Sequence, residues 1–291
     1  MKVLVIANNK GGIGKTTLSK IISEYFARIG KRVLGVDLDP QCNFSRRFVE
    51  MVSGDGNASL EPGLHPDYDP GDPENDDWDG RSSTADIYFE GAAAIYPTEL
   101  ENFSIIPAHG KRLNDVERVT NADAVSLVHD QLRQFLFYDE DGESLANDYD
   151  LVVIDTSPSK GPLTVSAVRA ATHMLIPAEM DQFSIEGLYG MSAMWSRENM
   201  AREKDNELKL VGILANKYQK QRSDVDFVYS QLKALQNIGP YLLNEKMHYW
   251  QAYAEANMHN AGSIFDLKPS DKARKEAEEI CRVLGEKLFN D

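Results

Sequence analysis

Asn8-Asn9-Lys10-Gly11-Gly12-Ile13-Gly14-Lys15-Thr16-Thr17 follows a β-rich run and leads directly into a helical pattern. A strand, a glycine loop and a helix in this order form a phosphate cradle, because glycines let a ligand approach the backbone and the helix N-terminus attracts anions. We expect Lys15 to reach the β- and γ-phosphates and the Thr16 hydroxyl to bind Mg²⁺. The stretch predicts a nucleotide site, although Asn9 stands where the standard spacing has glycine.

Elsewhere in the chain, short apolar runs alternate with helical patterns. The predicted strands are Lys2 to Asn8, Arg32 to Asp37, Phe103 to Pro107, Leu151 to Asp155, His173 to Pro177, Lys209 to Asn216 and Tyr241 to Leu243. The predicted helices are Lys15 to Ile29, Ala122 to Phe137, Ile185 to Arg202, Asp224 to Ile238 and Ser270 to Leu288, the last with Ser270 as its N-cap. Uninterrupted apolar strands between helices indicate an α/β fold with a single doubly wound, mostly parallel sheet and helices on both faces. Ligands of such sheets bind at the carboxyl ends of the strands.

Composition narrows the class of protein. The chain has 291 residues, which we expect to form one domain spanning 1–291, and a net charge of −15. This charge argues against binding polyanions through bulk charge, but it leaves room for a local basic patch. Cys42 and Cys281 cannot form a disulfide framework, which favours a reducing cytosol. The sequence shows no secretory signal and no apolar stretch near the roughly 20 residues that span a bilayer, so neither class is expected.

The acidic residues are concentrated in one segment. Between Asp55 and Glu90 there are eleven Asp or Glu residues and one basic residue, Arg81. The segment is also rich in Gly and Pro, a composition that buries too little apolar surface to order itself. We therefore expect a solvated insertion loop at about 54–83, or a docking surface there. A second, shorter acidic loop is expected at 138–150.

Carboxylates follow two of the predicted strands. In Val36-Asp37-Leu38-Asp39-Pro40-Gln41-Cys42-Asn43, the two aspartates point the same way on an extended chain. One of them can orient an attacking water while the other contacts the metal's water shell or the loop. The apolar run that begins at Tyr149 likewise ends in a carboxylate, that of Asp155.

The phosphate loop resembles the deviant Walker A motif of the ParA/MinD ATPase superfamily, because Lys10 precedes a Gly pair. Lys10 is implied to cross a dimer interface to the partner's ATP, or alternatively to contact phosphate in its own chain. Other segments resemble ParA (Soj-like) partition ATPases more than a generic P-loop protein, and the likeness extends over nearly the whole chain except the insertion. The P-loop NTPase fold is therefore expected.

The resemblance also assigns roles to single residues. Asp39 positions the hydrolytic water with support from Asp37, Asp155 binds Mg²⁺ through water together with Thr16, and Asn216 hydrogen-bonds the adenine. The implied catalytic residues are Lys10, Lys15 and Asp39. The implied nucleotide contacts are Lys10, Gly11, Gly12, Ile13, Gly14, Lys15, Thr16, Thr17, Asp37 and Asn216. Lys160 follows the second carboxylate motif as another candidate for a lysine acting across the interface, or as a solvated loop lysine.

A ParA-type protein is implied to be a slow, partner-stimulated ATPase that forms an ATP-dependent homodimer on nonspecific DNA. It would position a cargo such as a plasmid, a chromosome origin or a carboxysome-like body, released when a ParB-like or other adaptor protein stimulates hydrolysis. The implied location is cytoplasmic, at the nucleoid, without a membrane partner. Candidate DNA contacts are Lys217, Lys220, Arg222, Lys268, Lys272, Arg274 and Lys275, with ordinary solvated charge as the alternative.

Three other functions are alternatives to this one. A MinD-like membrane-cycling ATPase needs a basic amphipathic helix at the C-terminus, whereas residues 281–291 contain few basic residues and end in Asp291. A reductase like the nitrogenase iron protein needs cluster-binding cysteines that Cys42 and Cys281 do not supply. A DNA-independent scaffold ATPase would keep the nucleotide switch and act through a protein partner alone.

Overall fold

A computed structural model describes residues 1–54, 59–75, 77–138, 145–256 and 262–290. The strands are β1 Lys2–Ile6, β2 Val33–Leu38, β3 Met51–Ser53, β4 Leu60–Pro62, β5 Tyr96–Pro97, β6 Phe103–Ile106, β7 Leu151–Thr156, β8 His173–Ala178, β9 Lys209–Tyr218 and β10 Leu242–His248. The helices are α1 Lys15–Arg28, α2 Thr84–Phe89, α3 Gly110–Glu117, α4 Ala122–Phe137, α5 Pro162–Ala170, α6 Gln182–Ala201, α7 Ser223–Ala234, α8 Gln251–Glu255 and α9 Lys272–Phe289.

Eight strands form the main sheet in the order β10-β9-β8-β1-β7-β2-β6-β5. All neighbours in it pair in parallel except β5 and β6. Because β1 lies between β7 and β8, the chain winds outward from the centre in both directions. The parallel register places Asp37 of β2 opposite Asp155 of β7, so both carboxylates reach the same edge of the sheet.

Two apolar cores cover the sheet, one on each face. Val3 and Val5 of β1 pack into a core with α4, α5, α6 and α7. Leu4 and Ile6 pack into the other core with α1 and α9. This alternation follows from the period of two along a strand, and burial on both faces explains why the strands are continuous apolar runs. The predicted α/β class with a doubly wound, mostly parallel sheet is confirmed.

Several local predictions need correction. The final helix is capped by Asp271, whose carboxylate accepts hydrogen bonds from the amides of Ala273 at 2.8 Å and Arg274 at 3.3 Å, and not by Ser270. Asp and Ser are about equally favoured at the N-cap position, so the residue type does not determine which of the two caps the helix. The position at which the chain turns into the helix determines it. Four helices were not predicted from the sequence, namely α2, α3, α5 and α8. They are short and are held by tertiary packing more than by a long periodic pattern.

The described residues of the acidic insertion carry some local structure, and the expectation of a solvated loop or a docking surface at 54–83 stays a prediction. β3 and β4 pair as an antiparallel hairpin. The ring of His65, which is only 8% exposed, packs against Tyr96 with centroids 4.7 Å apart and against Trp78 at 5.6 Å. These few aromatic side chains supply buried apolar surface that the acidic, Gly- and Pro-rich composition of the segment did not indicate. Residues 55–58 and 76 of the insertion, and 139–144 of the second acidic loop, lie outside the described residues.

Candidate nucleotide site

The glycine loop joins the end of β1 to the start of α1 at the centre of the sheet edge. Gly12 has φ 72° and Gly14 has φ 86°, a left-handed conformation that glycine adopts without strain. A Cβ on Gly14 would lie 2.3 Å from the side-chain nitrogen of Asn216, so the space is also closed to a larger residue. The loop is thus shaped by glycine at the positions that the motif requires.

Lys15 is 6% exposed and lies in the first turn of α1. Its ammonium donates to the Lys10 carbonyl at 3.2 Å. Burial lowers the pKa of Lys15, and the nearby carboxylates of Asp155 and Asp39 oppose that shift. A cation held in this position, at the end of a helix that already attracts anions, is ready to neutralise a phosphate group.

Three oxygen-bearing side chains meet beneath the loop. The Asp155 carboxylate accepts a hydrogen bond from the Thr16 hydroxyl at 2.8 Å and another from the Ser19 hydroxyl at 2.8 Å. Asp155 is fully buried, and this burial raises the pKa of its carboxyl group. Hydroxyl and carboxylate oxygens are ligands that Mg²⁺ prefers, so the donors present here fit that ion. That Thr16 and Asp155 would hold it stays a prediction.

The two aspartates after β2 have different surroundings. Asp39 lines the cavity, and its carboxylate accepts a hydrogen bond from the Gln41 amide at 2.9 Å. Asp37 is fully buried, and its carboxylate accepts hydrogen bonds from the Ser45 hydroxyl at 2.6 Å and from the Asp39 amide at 3.0 Å. Asp37 therefore shapes the loop that carries Asp39. Its supporting role in positioning the hydrolytic water and its direct contact with the nucleotide both stay predictions.

A cavity of about 500 Å³ opens in front of the loop. Its lining residues are Gly12, Gly14, Lys15, Thr16, Thr17, Lys20, Asp39, Gln41, Asn43, Arg46, Arg47 and Pro158. Three cationic lining residues were not predicted from the sequence, namely Lys20, Arg46 and Arg47. Lys20 lies three residues after Thr17 on the same helix, and this spacing places both side chains on one face. The spacing could have indicated from sequence that Lys20 lines the same cavity as Thr17.

Asn216 lies under the glycine loop rather than in the cavity lining. It is 3% exposed, and its side-chain amide donates to the Ile13 carbonyl at 2.5 Å. Its side-chain oxygen accepts the Lys217 amide at 2.8 Å. These contacts make Asn216 a brace between β9 and the glycine loop. Its predicted hydrogen bond to adenine stays a prediction.

Lys10 is held by acidic residues of its own chain. Its ammonium lies 2.8 Å from the Asp181 carboxylate and 3.5 Å from that of Glu179. The same Glu179 pairs with Lys217 at 3.1 Å. Lys160 is exposed in the turn after β7, and its ammonium lies against Gly190 of α6. The structure thus separates Lys10 from the cavity lining, on the flank where β8 ends.

The seven basic candidates for DNA contact differ in their surroundings. Arg222 pairs with Asp224, Arg274 pairs with Glu278, and Lys217 pairs with Glu179. Lys272 lies over the Trp250 ring at 5.8 Å from the ring centroid. The remaining three are exposed and form no ion pair with the described part of the chain; these are Lys220, Lys268 and Lys275. An ion pair cancels much of the field of a cation, so we expect those three to contribute most to any attraction for phosphate.

Comparison with known proteins shows the family to which this chain belongs. A family model described as an AAA domain matches residues 1–210. The chromosome-partitioning ATPase Soj of Thermus thermophilus is 31% identical over 79% of this chain and 75% of that protein. The chain belongs to the Soj/ParA family of partition ATPases. Another member, the sporulation initiation inhibitor protein Soj of Bacillus subtilis, is 32% identical over 64% of the chain and 62% of that protein.

Solved structures agree with this family fold. McdA from Cyanothece in complex with ATP aligns with a TM-score of 0.72 at 19% identity, over 98% of this Soj/ParA family member and 96% of that chain. At this identity the likeness shows the P-loop NTPase-like fold alone. In the described residues of this family member, the helices lack the combination of length and apolar character that a bilayer-spanning segment needs.

Proposed function

We propose that this chain is a ParA-type ATPase whose ATP-bound homodimer binds nonspecific DNA and positions a cargo. The observation that carries the proposal is the arrangement of Lys15, Thr16 and Asp155 at the glycine loop, with Asp39 on the cavity wall. It combines an anion cradle, a hard-metal ligand set and a carboxylate able to orient water. Family membership supports the same reading.

In the proposed reaction the chain mostly positions the reacting groups and neutralises the phosphate charge. The loop amides and Lys15 bind the β- and γ-phosphates of ATP, while Thr16 and Asp155 hold Mg²⁺. When bound, Mg²⁺ supplies positive charge that stabilises the phosphate oxygens. The Asp39 carboxylate, fixed by the Gln41 amide, orients the attacking water. Asp37 keeps that loop in place through Ser45.

The proposed switch is dimerisation. Lys10 of each protomer would contact the ATP of the other, so that ATP joins two copies and hydrolysis releases them. Its ion pairs with Asp181 and Glu179 must then be exchanged for phosphate oxygens. These pairs are partly exposed, and such pairs are worth at most about 1 kcal/mol, so the exchange is energetically accessible.

The dimer is proposed to bind DNA through Lys220, Lys268 and Lys275, with smaller contributions from the paired cations. A ParB-like or other adaptor protein would stimulate hydrolysis and link the switch to its cargo, in the cytoplasm at the nucleoid. One observation favours a second candidate, a DNA-independent scaffold ATPase: three of the seven basic candidates are already ion-paired within the chain.

Sedimentation with nonspecific duplex DNA separates these two candidates. Protein would be mixed with DNA and ATP–Mg²⁺, ADP or no nucleotide at two salt concentrations. Binding only with ATP, weakened by salt and lost in Lys15→Ala, is the expected result. ATP hydrolysis without DNA binding in any state would overturn the DNA-binding function and leave the scaffold ATPase.

A further inference from the structure

The loop between β7 and α5 forms one wall of the nucleotide cavity through Pro158. Pro158 also lies beside the glycine loop, since a Cβ on Gly11 would be 3.9 Å from the Cβ and Cγ atoms of the proline ring. A proline has no amide hydrogen and its ring has no polar atom, so Pro158 cannot donate a hydrogen bond to phosphate. Its ring therefore contributes shape to the cavity, and that shape depends on how the loop is held.

The carboxylate of Glu117 holds the far end of this loop. Glu117 is the last residue of α3, and one of its oxygens accepts a hydrogen bond from the Ser159 hydroxyl. Its other oxygen accepts a hydrogen bond from the amide of Leu163, in the first turn of α5, at 3.2 Å. The Ser159 hydroxyl oxygen in turn accepts the Gly161 amide at 2.7 Å. One carboxylate thus joins both the loop and the start of α5 to α3.

Apolar packing fixes α3 against α5. Leu113 and Val116 of α3 lie in one buried cluster with Leu163, and all three are at most 2% exposed. Residue 161 is a glycine at the point of closest approach, where a Cβ would overlap a carboxylate oxygen of Glu117. The carboxylate of Glu117 is therefore carried by a packed helix and has little room to move.

The near end of the loop is fixed by the sheet. The Thr156 hydroxyl donates to the carbonyl of the last residue of β1 at 2.9 Å. The Ser159 amide donates to the Ser157 carbonyl at 2.9 Å, which closes a turn around Pro158. Because Pro158 lies in a turn between two anchored points, the bond from Ser159 to Glu117 helps to set where its ring stands in the cavity.

We propose that Glu117 is a positioning residue of the nucleotide site, which acts through Ser159 to hold Pro158 as the wall that confines the attacking water in front of Asp39. This inference rests on the proposed function, because it assumes that the cavity binds and hydrolyses a nucleoside triphosphate. A displaced wall leaves the phosphate contacts of Lys15 in place and loosens the water. Misplacing a reacting group by about 1 Å can cost about 100-fold in rate.

Two substitutions separate this role from simple capping of α5. Glu117→Gln keeps the size of the side chain but has one acceptor oxygen instead of two, so it serves only one of the Ser159 and Leu163 donors. Ser159→Ala removes the bond to the loop and leaves the bond to Leu163 intact. Asp115→Asn, an exposed carboxylate on the same helix, is the matched control. Ser159→Thr, which keeps the hydroxyl, is the rescue variant.

The measurement is single-turnover ATP hydrolysis in Mg²⁺ with protein in excess, together with equilibrium binding of ATP and ADP. We expect the rate constant to fall about tenfold in Glu117→Gln and in Ser159→Ala, with both affinities changed less than about twofold, because the phosphate contacts are retained. The double variant should lose no more than either single one, since both remove the same link. Asp115→Asn and Ser159→Thr should hydrolyse ATP at the wild-type rate.

A wild-type rate in Ser159→Ala would show that Glu117 only caps α5, and this result would overturn the proposal. An equal loss in hydrolysis and in ADP affinity would show general damage to the site and would also overturn it. Ser159→Ala leaves the cap of α5 in place, so it keeps the test valid if Glu117→Gln does not fold. Wild-type protein that binds no ATP, or binds it without hydrolysis, would instead overturn the proposed function itself.

Discussion

The ammonium of Lys10 lies 2.8 Å from the carboxylate of Asp181 in the same chain. Glu179 also reaches Lys10, at 3.5 Å, and its other oxygen pairs with Lys217 at 3.1 Å. One acidic turn after β8 therefore holds both the lysine proposed to act across the dimer interface and a lysine proposed to face DNA. If ATP draws Lys10 toward a partner, Glu179 is left with Lys217 alone.

Removing the ion pair between Lys10 and Asp181 should favour the dimer. We expect Asp181→Asn to lower the protein concentration needed for ATP-dependent dimerisation by about two- to fivefold, because a partly exposed ion pair contributes 0.2–1 kcal/mol. The measurement is sedimentation velocity over a concentration series with a nonhydrolysable ATP analogue. Glu286→Gln, which breaks the exposed pair with Arg282, is the control. An unchanged or raised dimerisation concentration would show that this pair does not restrain Lys10.

Gly14 should not tolerate a side chain. Gly14→Ala puts an alanine at φ 86° and a methyl group 2.3 Å from the Asn216 nitrogen. The φ angle alone costs about 1–2 kcal/mol, and the clash adds to it. Urea denaturation should show that loss, and Gly14→Ala with Asn216→Ala should recover only the part due to the clash. Full stability in the single variant would contradict the loop geometry.

Ser19 should tune the metal site without touching the nucleotide. Its hydroxyl donates to Asp155 at 2.8 Å, so Ser19→Ala should raise the Mg²⁺ concentration for half-maximal ATP hydrolysis by about tenfold. Ser23→Ala is a matched control, because the Ser23 hydroxyl is buried one turn later on α1 and has no hydrogen-bond partner in the described structure. Equal Mg²⁺ requirements for both variants would exclude a role for Ser19 at the metal.

The three lysines that lack an ion pair within the described part of the chain should dominate DNA binding. Replacing Lys220, Lys268 and Lys275 with Gln should reduce the magnitude of the slope of log affinity against log salt concentration by about 2–3. Each lost phosphate contact reduces this magnitude by about 0.7–0.9. The control triple variant replaces Lys217, Arg222 and Arg274, whose charges are already paired. A larger loss in the control, measured by fluorescence anisotropy, would place the DNA surface on the paired residues.

Much of the central fold could be predicted from sequence because its strands are buried on both faces. The run from Leu151 to Asp155 reads as a strand without ambiguity, and the structure extends it by one residue to Thr156. The short helices could not be predicted this way. α2 has only six residues, and it is held by a capping box in which Ser83 and Asp86 bond each other's backbone amides.

The site residues could be predicted where the residue types and their spacing lie within one segment of sequence, as for Lys15 and Thr16. It was not predictable where distant segments meet. Arg46 lies 31 residues after Lys15 in the chain, and only the turn after β2 brings it to the same cavity. Likewise, nothing in the local sequence of Asn216 shows that its side chain supports the loop at Ile13.

The most direct test of the nucleotide switch is the mass of the protein in solution with each nucleotide. Sedimentation velocity would compare wild type and Lys10→Ala with ATP–Mg²⁺, with ADP–Mg²⁺ and without nucleotide, after confirming that both bind nucleotide. We expect a dimer of wild type with ATP alone, and a monomer of Lys10→Ala in all three conditions. A wild-type protein that binds ATP and stays monomeric, or a Lys10→Ala variant that dimerises equally well, would contradict it.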